Sequence, residues 1–196
     1  MPSGSPARLT ADEATILVVD VQEKLFPKID NASALARNIS FLLDAARVLN
    51  VPAIGTEQYP KGLGPTIPEL GSRLRKPLPE KQTFSCCGIP GLVERFGAEG
   101  RRTVLVVGIE THVCVMQTAL DLLAHGLRVF VAVDAVGSRC AVDHRAALRR
   151  MELAGAIPCT VEMAAFEFTR ASGTPRFKEI SKLVQERMKN PGQESS

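Results

Sequence analysis

Several features that often reveal a protein's function are absent from this sequence of 196 residues. It has no tryptophan and one tyrosine, so it offers no row of aromatic side chains on which nucleic-acid bases could stack. No apolar run approaches the ~20 residues of a membrane-spanning helix, and the first residues lack the apolar segment of a signal peptide. These absences predict a cytoplasmic protein with no membrane partner. A mitochondrial location is the weaker alternative, because a single arginine, Arg8, precedes Asp12 and Glu13.

Charge, cysteine and glycine usage narrow the class further. Lys and Arg exceed Asp and Glu by 24 to 21, and the longest basic runs are only pairs, which argues against a nucleic-acid partner. The five cysteines are odd in number and include the neighbours Cys86 and Cys87, which argues against a disulfide framework. Dinucleotide-binding folds need a glycine-rich turn after the first strand, and VVDVQEKLF has no glycine. We therefore expect no cofactor.

What the sequence does contain is a regular alternation of apolar strands with amphipathic helices. This alternation predicts an α/β fold, a three-layer αβα sandwich whose centre is a six-stranded, Rossmann-like parallel sheet. We expect a single domain over residues 15–189, a flexible amino-terminal arm over 1–14 and a disordered tail over 190–196. The predicted strands are 16–21, 51–56, 83–85, 103–107, 127–133 and 157–161.

The stretch from Thr103 to Thr118 contains a candidate nucleophile. A buried strand ends at Gly108 and helical spacing begins after Thr111, which places Cys114 in the first turn of a helix at the carboxyl end of a strand. The N–H groups and partial positive charge at a helix amino terminus lower the pKa of a thiol. The alternative is that Cys114 is a small buried core residue, as free cysteines often are.

Two charged residues can join Cys114 at the carboxyl edge of the sheet. Asp20 closes the first strand in place of an aliphatic residue, and Lys81 follows a proline-rich stretch just before a predicted strand. A carboxylate can take the proton of a thiol while an ammonium group stabilises the negative charge. Position alone leaves other interpretations open, because Asp20 could cap the turn after its strand and Lys81 could be a solvated surface residue.

A family resemblance is carried by five motifs, in order VVDVQEKLF, TEQYPKGLGPTIPEL, KQTFSCCG, GIETHVCVMQTALDLL and VDAVGSR. Over about residues 16–162 the chain resembles the isochorismatase-like cysteine hydrolase superfamily, and in particular its isochorismatase domain-containing branch. The resemblance implies an isochorismatase-like hydrolase fold, a catalytic triad of Asp20, Lys81 and Cys114, and a homo-oligomer.

The same resemblance makes predictions about the surroundings of the triad. It implies a non-proline cis peptide bond between Ile109 and Glu110, which would aim the N–H groups of Val113 and Cys114 at a substrate oxygen as an oxyanion hole. Family members that bind a metal place an Asp-x-His arrangement after the second strand, where this chain has Glu57-Gln58-Tyr59. We therefore expect no metal.

The remaining predictions concern the substrate. We expect Phe26, Tyr59 and Phe84 to line the substrate pocket, and we assign His112 to the substrate or the surface rather than to a role as base. His144 is predicted as an ordinary helix-surface residue. The predicted function is hydrolysis of a small carbonyl substrate, an amide or similar C–N bond, through a Cys thiolate and an acyl-enzyme. The alternatives are a weakly active or inactive binding or scaffold protein with the same fold, and a nucleic-acid-associated protein.

Overall fold

The computed structural model describes residues 8–189 and contains two groups of strands. The strands are β1 (Ala14–Val19), β2 (Ala53–Gly55), β3 (Glu57–Gln58), β4 (Glu80–Lys81), β5 (Thr103–Ile109), β6 (Arg128–Gly137) and β7 (Ile157–Cys159). Five of them form a parallel sheet in the order β2-β1-β5-β6-β7, and β3 pairs with β4 in a separate two-stranded ribbon. The central strands β1 and β5 are therefore neighbours, and their carboxyl ends meet at one edge.

Helices cover both faces of the five-stranded sheet. They are α1 (Ala32–Leu49), α2 (Pro60–Leu63), α3 (Pro68–Gly71), α4 (Leu92–Ala98), α5 (Met116–Ala124), α6 (Ala141–Leu153), α7 (Val161–Thr169) and α8 (Pro175–Lys189). Helices α1, α7 and α8 pack in one core, and α4, α5 and α6 contribute to the other. Strand β1 supplies both cores, since Ile16 and Val18 point to the first and Leu17 and Val19 to the second. The predicted three-layer arrangement is confirmed.

The predicted number of strands is wrong, because the sheet has five strands and not six. Residues 83–85, predicted as a strand, form a bend after β4, and the carbonyl groups of Thr83 and Phe84 accept hydrogen bonds from Lys81. A strand needs those carbonyl groups for ladder hydrogen bonds, so the local contacts with the lysine replace strand pairing. The strand in this region lies earlier in the chain, at residues 80–81, where Lys81 of β4 pairs with Gln58 of β3.

The part of the amino-terminal arm that the structure describes packs against the domain. Leu9 is fully buried, and its N–H group donates to Glu167 Oε2 at 2.6 Å. The Arg101 guanidinium donates to the carbonyl groups of Ala11 and Asp12 at 3.0 and 2.7 Å. Residues 8–13 are therefore not a loose segment, while residues 1–7 and the predicted tail 190–196 lie outside the described residues. Over the described range, no helix is both long and apolar enough to cross a membrane.

Candidate active site

Asp20 lies immediately after β1 at the carboxyl edge of the sheet. Its φ of +50° is left-handed, a conformation that Asp adopts more readily than aliphatic residues. The residue is fully buried, and both carboxylate oxygens have donors, since Oδ1 accepts from Thr56 Oγ1 at 2.8 Å and Oδ2 from Lys81 Nζ at 2.5 Å. The side chain thus binds partners 36 and 61 positions away in sequence instead of capping its own turn.

Lys81 points inward and is fully engaged. Its side chain is 1% exposed, and Nζ donates to Asp20 Oδ2 and to Gln58 Oε1, the latter at 2.8 Å. The carbonyl oxygens of Thr83 and Phe84 accept from the same nitrogen at 3.2 and 3.0 Å. Because an ammonium group has three N–H bonds, four acceptors leave it no proton to offer another group. The alternative of a solvated surface lysine does not hold.

Cys114 lies in the turn between β5 and α5. A Cβ on Gly108 would lie 2.1 Å from the carbonyl oxygen of Val19, so glycine lets the end of β5 approach the end of β1. The following residues Thr111–Val115 form one π-helical turn, which holds Cys114 next to Asp20. Cys114 is 6% exposed, and its thiol lies close enough to Asp20 for this carboxylate to raise the pKa of the thiol. The fold therefore brings together the three residues of the predicted triad.

The electrostatics of Cys114 differ from the prediction made from its helix position. Burial raises the pKa of the Cys114 thiol well above its usual value, and the charge of Asp20 raises this pKa further. The Lys81 ammonium lowers the same pKa, while the hydrogen bond to Asp20 and the neighbouring Cys86 raise it. Sequence reasoning counted the cation and the helix terminus but could not see the desolvation. Cys114 is therefore a protonated thiol beside a carboxylate.

Thr56 and Cys86 belong to the site and were missed from the sequence. Thr56 follows β2, is 1% exposed, and its Oγ1 lies 2.8 Å from Asp20 Oδ1 and 3.5 Å from Cys86 Sγ. A hydroxyl can donate one hydrogen bond, and Thr56 donates it to the carboxylate of Asp20. In the contact between Thr56 and Cys86, the thiol of Cys86 must therefore be the donor. Burial and the charge of Asp20 raise the pKa of Cys86 to about 11, which keeps that donor protonated. Thr56 thereby fixes one oxygen of the proposed base.

Two glutamines that the sequence analysis did not select hold the cation in place. Gln58 accepts from Lys81 through Oε1 and donates through Nε2 to the carbonyl of Gln82 at 2.9 Å. Gln22 binds the backbone of Gln58 in both directions, accepting from its N–H at 2.8 Å and donating to its carbonyl at 3.0 Å. Both glutamines are buried. A usable signal existed in their positions, because Gln22 directly follows the first predicted strand, 16–21, and Gln58 lies two residues after the second, 51–56.

Three consecutive residues, Glu110 to His112, attach the turn of the predicted nucleophile (Thr111–Val115, the nucleophile turn) to the segment after β6. Glu110 Oε2 accepts from the backbone N–H of Arg139 at 3.1 Å and lies 3.3 Å from its Nε. The two side-chain pairs that complete the attachment are Thr111 Oγ1 with His144 Nδ1 and His112 Nδ1 with Ser138 Oγ, both at 3.0 Å. The motif VDAVGSR thus acquires a role in fixing the turn.

His144 was predicted as a surface residue, and that prediction is wrong. Its ring is half-buried against the nucleophile turn, where it pairs with the hydroxyl of Thr111. Burial lowers the pKa of His144, Arg145 lowers it further, and the carboxylate of Asp30 raises it. The residue supports the turn as a neutral partner.

In the predicted oxyanion hole, the peptide bond between Ile109 and Glu110 is cis. The N–H group of Val113 donates to the carbonyl of Glu110 at 3.0 Å, so it is occupied within the turn. We therefore withdraw Val113 as a donor to substrate, and the N–H group of Cys114 stays the predicted donor.

The residues predicted to line the substrate pocket occupy different positions. Tyr59 and Phe84 are about half exposed, at 48% and 53%, and flank the ribbon that holds Lys81. Phe26 is half-buried and packs against the core near α1. His112 is half-buried and paired with Ser138. Their contact with substrate stays a prediction. In the part of the chain that the structure describes, no group of three or more His, Cys, Asp or Glu residues is arranged to hold a metal ion.

The parallel sheet with helices on both faces and polar residues at its carboxyl edge defines an α/β protein with the isochorismatase-like hydrolase fold. The chain belongs to the isochorismatase family, whose domain model matches residues 14–163. It is 40% identical over 189 residues to the mouse isochorismatase domain-containing protein 2A, covering 96% of this chain and 90% of that protein. The family resemblance inferred from the motifs is confirmed.

Two solved structures extend the comparison. The MAR1 ribonuclease from Caenorhabditis elegans superposes with a TM-score of 0.85 at 42% identity, covering 91% of this chain and 93% of that one. The YcaC protein from Escherichia coli, described as an octameric hydrolase of unknown specificity, superposes with a TM-score of 0.86 at 26% identity, covering 95% and 96%. Both likenesses extend over nearly the whole chain.

Proposed function

We propose that this protein is a cysteine hydrolase that cleaves a small amide or a similar C–N bond through an acyl-enzyme. The observation that carries the proposal is the contact of the Cys114 thiol with Asp20, whose other partner is the buried Lys81. A thiol beside a carboxylate can lose its proton in the step in which sulfur attacks a carbonyl carbon. Family membership supports a hydrolase in general terms.

The proposed reaction assigns one role to each residue of the triad. As the Cys114 sulfur bonds to the carbonyl carbon, its proton moves to Asp20, and the N–H of Cys114 donates to the developing oxyanion. Asp20 then gives this proton to the leaving nitrogen, and the C–N bond breaks to release an amine or ammonia. Water attacks the thioester, its proton passes through Asp20 to the sulfur, and a carboxylic acid leaves. Lys81 holds Asp20 in place throughout.

Burial limits the size of the substrate. Cys114 exposes 6% of its surface, while Asp20 is fully buried and Lys81 is 5% exposed. A narrow approach of this kind suits a small carbonyl compound better than a polymer. Amides and ureides are small enough, and their stable C–N bonds are the kind that need an activated nucleophile.

The proposal is tested by a turnover screen over small amides, ureides and esters with purified protein. We expect release of acid and amine by the parent and none by Cys114→Ala. Cys159→Ala is the matched control, because Cys159 is also buried but lies at the end of β7. Equal turnover by the parent and Cys114→Ala would remove Cys114 as nucleophile. An acyl adduct on Cys114, trapped by acid quench and mapped by mass spectrometry, would identify the intermediate.

The alternative of an inactive scaffold makes a different prediction for the same thiol. A scaffold needs no reactive sulfur, so Cys114 would react with an alkylating reagent no faster than Cys159, whose pKa burial and Asp134 raise to about 12. A hydrolase must let small carbonyl compounds reach Cys114, so Cys114 should react faster than Cys159 even though burial raises the pKa of both thiols.

RNA hydrolysis is a second candidate, favoured by one finding. The relative from Caenorhabditis elegans is described as a ribonuclease and is 42% identical. Against it, the buried cation of the site is fully engaged by four acceptors, and ribonucleases must neutralise phosphate charge. Incubation with single-stranded and hairpin RNA belongs in the turnover screen, and cleavage lost in Cys114→Ala would favour this candidate.

We also propose that the chain assembles with copies of itself. The E. coli relative is described as octameric, and it matches 95% of this chain. Light scattering coupled to size exclusion would test the assembly, and a mass near the 21.1 kDa of one chain would contradict it.

A further inference from the structure

We propose that the Cys114 site selects uncharged carboxamides and excludes substrates that carry a carboxylate or phosphate near the scissile bond. The carboxamide part rests on the proposed function. The exclusion of anions rests on how the charges of the site are already paired.

The first step concerns the cation. Among residues 8–189, Lys81 is the only lysine or arginine that is buried. Its three N–H bonds face four acceptors, which are Asp20 Oδ2, Gln58 Oε1 and the carbonyl oxygens of Thr83 and Phe84, at 2.5 to 3.2 Å. A substrate anion would have to displace one of these buried acceptors, which would then lose its partner. The lysine is therefore a structural partner of the base and not a receptor for substrate charge.

The second step concerns the negative groups around the sulfur. The Cys114 thiol contacts the carboxylate of Asp20, and the turn that carries it begins at Glu110, which is 8% exposed. The charge partner of Glu110 is Arg139, whose side chain is 58% exposed and already bound to that carboxylate at 3.3 Å. Both carboxylates are thus already paired, Asp20 with Lys81 and Glu110 with Arg139. An anionic substrate would meet the carboxylate of Asp20 beside the sulfur, and neither of these two cations is free to receive it.

The third step concerns the reaction itself. When Cys114 attacks, negative charge develops on the carbonyl oxygen while the departing proton neutralises Asp20. A carboxylate or phosphate on the substrate would lie near this developing charge in a poorly hydrated site, where like charges repel strongly. An uncharged carboxamide brings no such charge and can donate or accept hydrogen bonds. The chemistry and the resting charges therefore favour the same class of substrate.

Two reagents of almost equal size test the inference directly. Iodoacetamide is uncharged and iodoacetate is an anion, and both alkylate the same sulfur. We measure the rate constants of both reagents with Cys114 at one pH, following this residue by peptide mass spectrometry. The ratio of the iodoacetamide rate constant to the iodoacetate rate constant is then divided by the same ratio for 2-mercaptoethanol, an uncharged thiol. Because both reagents meet the same thiolate fraction, the thiol pKa cancels. We expect the preference of Cys114 for iodoacetamide to exceed that of 2-mercaptoethanol by about tenfold or more.

A pair of variants shows whether the charge of the turn produces this preference. Glu110→Gln removes the carboxylate that pairs with Arg139 at the start of the turn and leaves the guanidinium unpaired, so it should raise the relative rate of iodoacetate several-fold. Glu152→Gln is the control, since it removes an equal charge from an exposed pair with Arg149 on α6. The iodoacetamide rate of each variant reports whether the turn itself is intact, so a folding defect is separable from a change in charge selectivity.

The outcomes separate this inference from the proposed function. A ratio equal to that of 2-mercaptoethanol, or a preference for iodoacetate, overturns the exclusion of anions even if amides are hydrolysed. A strong preference for iodoacetamide without turnover of any amide supports the charge selectivity and contradicts the hydrolase. Failure of both reagents to reach Cys114 at pH 9 overturns both.

Discussion

Two aspartates at the carboxyl side of the sheet, Asp20 and Asp134, have the same chemistry and different uses. Asp20 follows β1, is completely buried, and contacts Lys81 and the Cys114 thiol. Asp134 lies in β6, and its partners are the first residue of α7 and the partly exposed guanidinium of Arg187 on α8. The comparison shows that the residue type at the end of a strand does not determine its role. The partners and the degree of burial do.

Asp134 anchors the carboxyl-terminal helix. Its Oδ1 accepts from the N–H of Val161 at 2.9 Å, and its Oδ2 lies 3.4 Å from Arg187 of α8. Arg187 also donates to Asn38 on α1 at 3.0 Å, and its guanidinium lies 5.2 Å from the ring centroid of Phe41. Burial raises the pKa of Asp134, while the Val161 N–H and Arg187 lower it. This cluster, Asp134 with Arg187, joins α1, α7 and α8.

The largest expected difference between the two aspartates is in catalysis. Asp20→Asn keeps the size of the side chain but removes the base, so turnover should fall by about 10²- to 10⁴-fold. Asp134→Asn should leave turnover close to that of the parent, because this residue contacts helices and not the thiol. Steady-state kinetics on any amide found in the screen measures both. A comparable loss in the two variants would mean that Asp20 acts through the fold.

The second difference is in stability. Lys81→Met leaves the carboxylate of Asp20 buried without its cation and should lower the free energy of unfolding by about 3–5 kcal/mol. Arg187→Met should cost about 1–2 kcal/mol, because the Arg187–Asp134 pair is partly exposed and water can replace the guanidinium. Urea denaturation of both variants gives the comparison. If the Arg187 variant loses as much as the Lys81 variant, burial does not distinguish the two pairs.

A smaller effect is expected from the hydroxyl that binds Asp20. Thr56→Val removes the donor to Asp20 Oδ1 and should lower kcat about tenfold with little change in KM, since the base loses its orientation and not its substrate. Thr56→Ser should restore most of the rate. Thr15→Val is the matched control, because Thr15 is buried in β1 and donates to the carbonyl of Pro52. Equal kcat losses in the Thr56→Val and Thr15→Val variants would show that the loss comes from altered packing and not from the hydrogen bond to Asp20.

The smallest expected effect concerns the attachment of the nucleophile turn. Arg139→Ala removes the guanidinium bound to Glu110 but keeps the backbone N–H bond to the same carboxylate. We expect a drop in kcat of about two- to threefold, on the order of the loss of one partly exposed ion pair. Arg149→Ala, on the exposed side of α6, should have no effect on kcat. A large loss in the Arg139 variant would show that the side chain itself contacts substrate.

The sequence was informative where a residue broke a regular pattern. Asp20 interrupts an aliphatic strand, and Cys114 follows a glycine at the end of the most central strand, so both positions were visible before the structure. Lys81 was visible only weakly from its place after a proline-rich stretch, and the family motif strengthened it. The two-residue strands β3 and β4 were not predictable, because so short a pairing has no periodicity and depends on contacts between distant segments.

The rest of the site depends on partners that sequence order cannot show. Thr56 becomes important only because the ends of β1 and β2 are neighbours in the sheet, and Cys86 only because the segment after β4 reaches Thr56. The pKa of Cys114 was expected to be low and is raised, because burial and the contact with Asp20 outweigh Lys81. Desolvation is a property of the assembled core, so its size could not be judged from spacing.

The central claim is that the carboxylate of Asp20 acts on the sulfur of Cys114, and the pH dependence of Cys114 alkylation by iodoacetamide tests it most directly. In the parent, the raised thiol pKa predicts a rate that keeps increasing about tenfold per pH unit from about pH 7 to 9. Asp20→Asn removes the negative charge and leaves the Lys81 ammonium, so the pKa of Cys114 should fall and alkylation near neutral pH should become faster while turnover is lost. An unchanged pH profile in Asp20→Asn would contradict the claim.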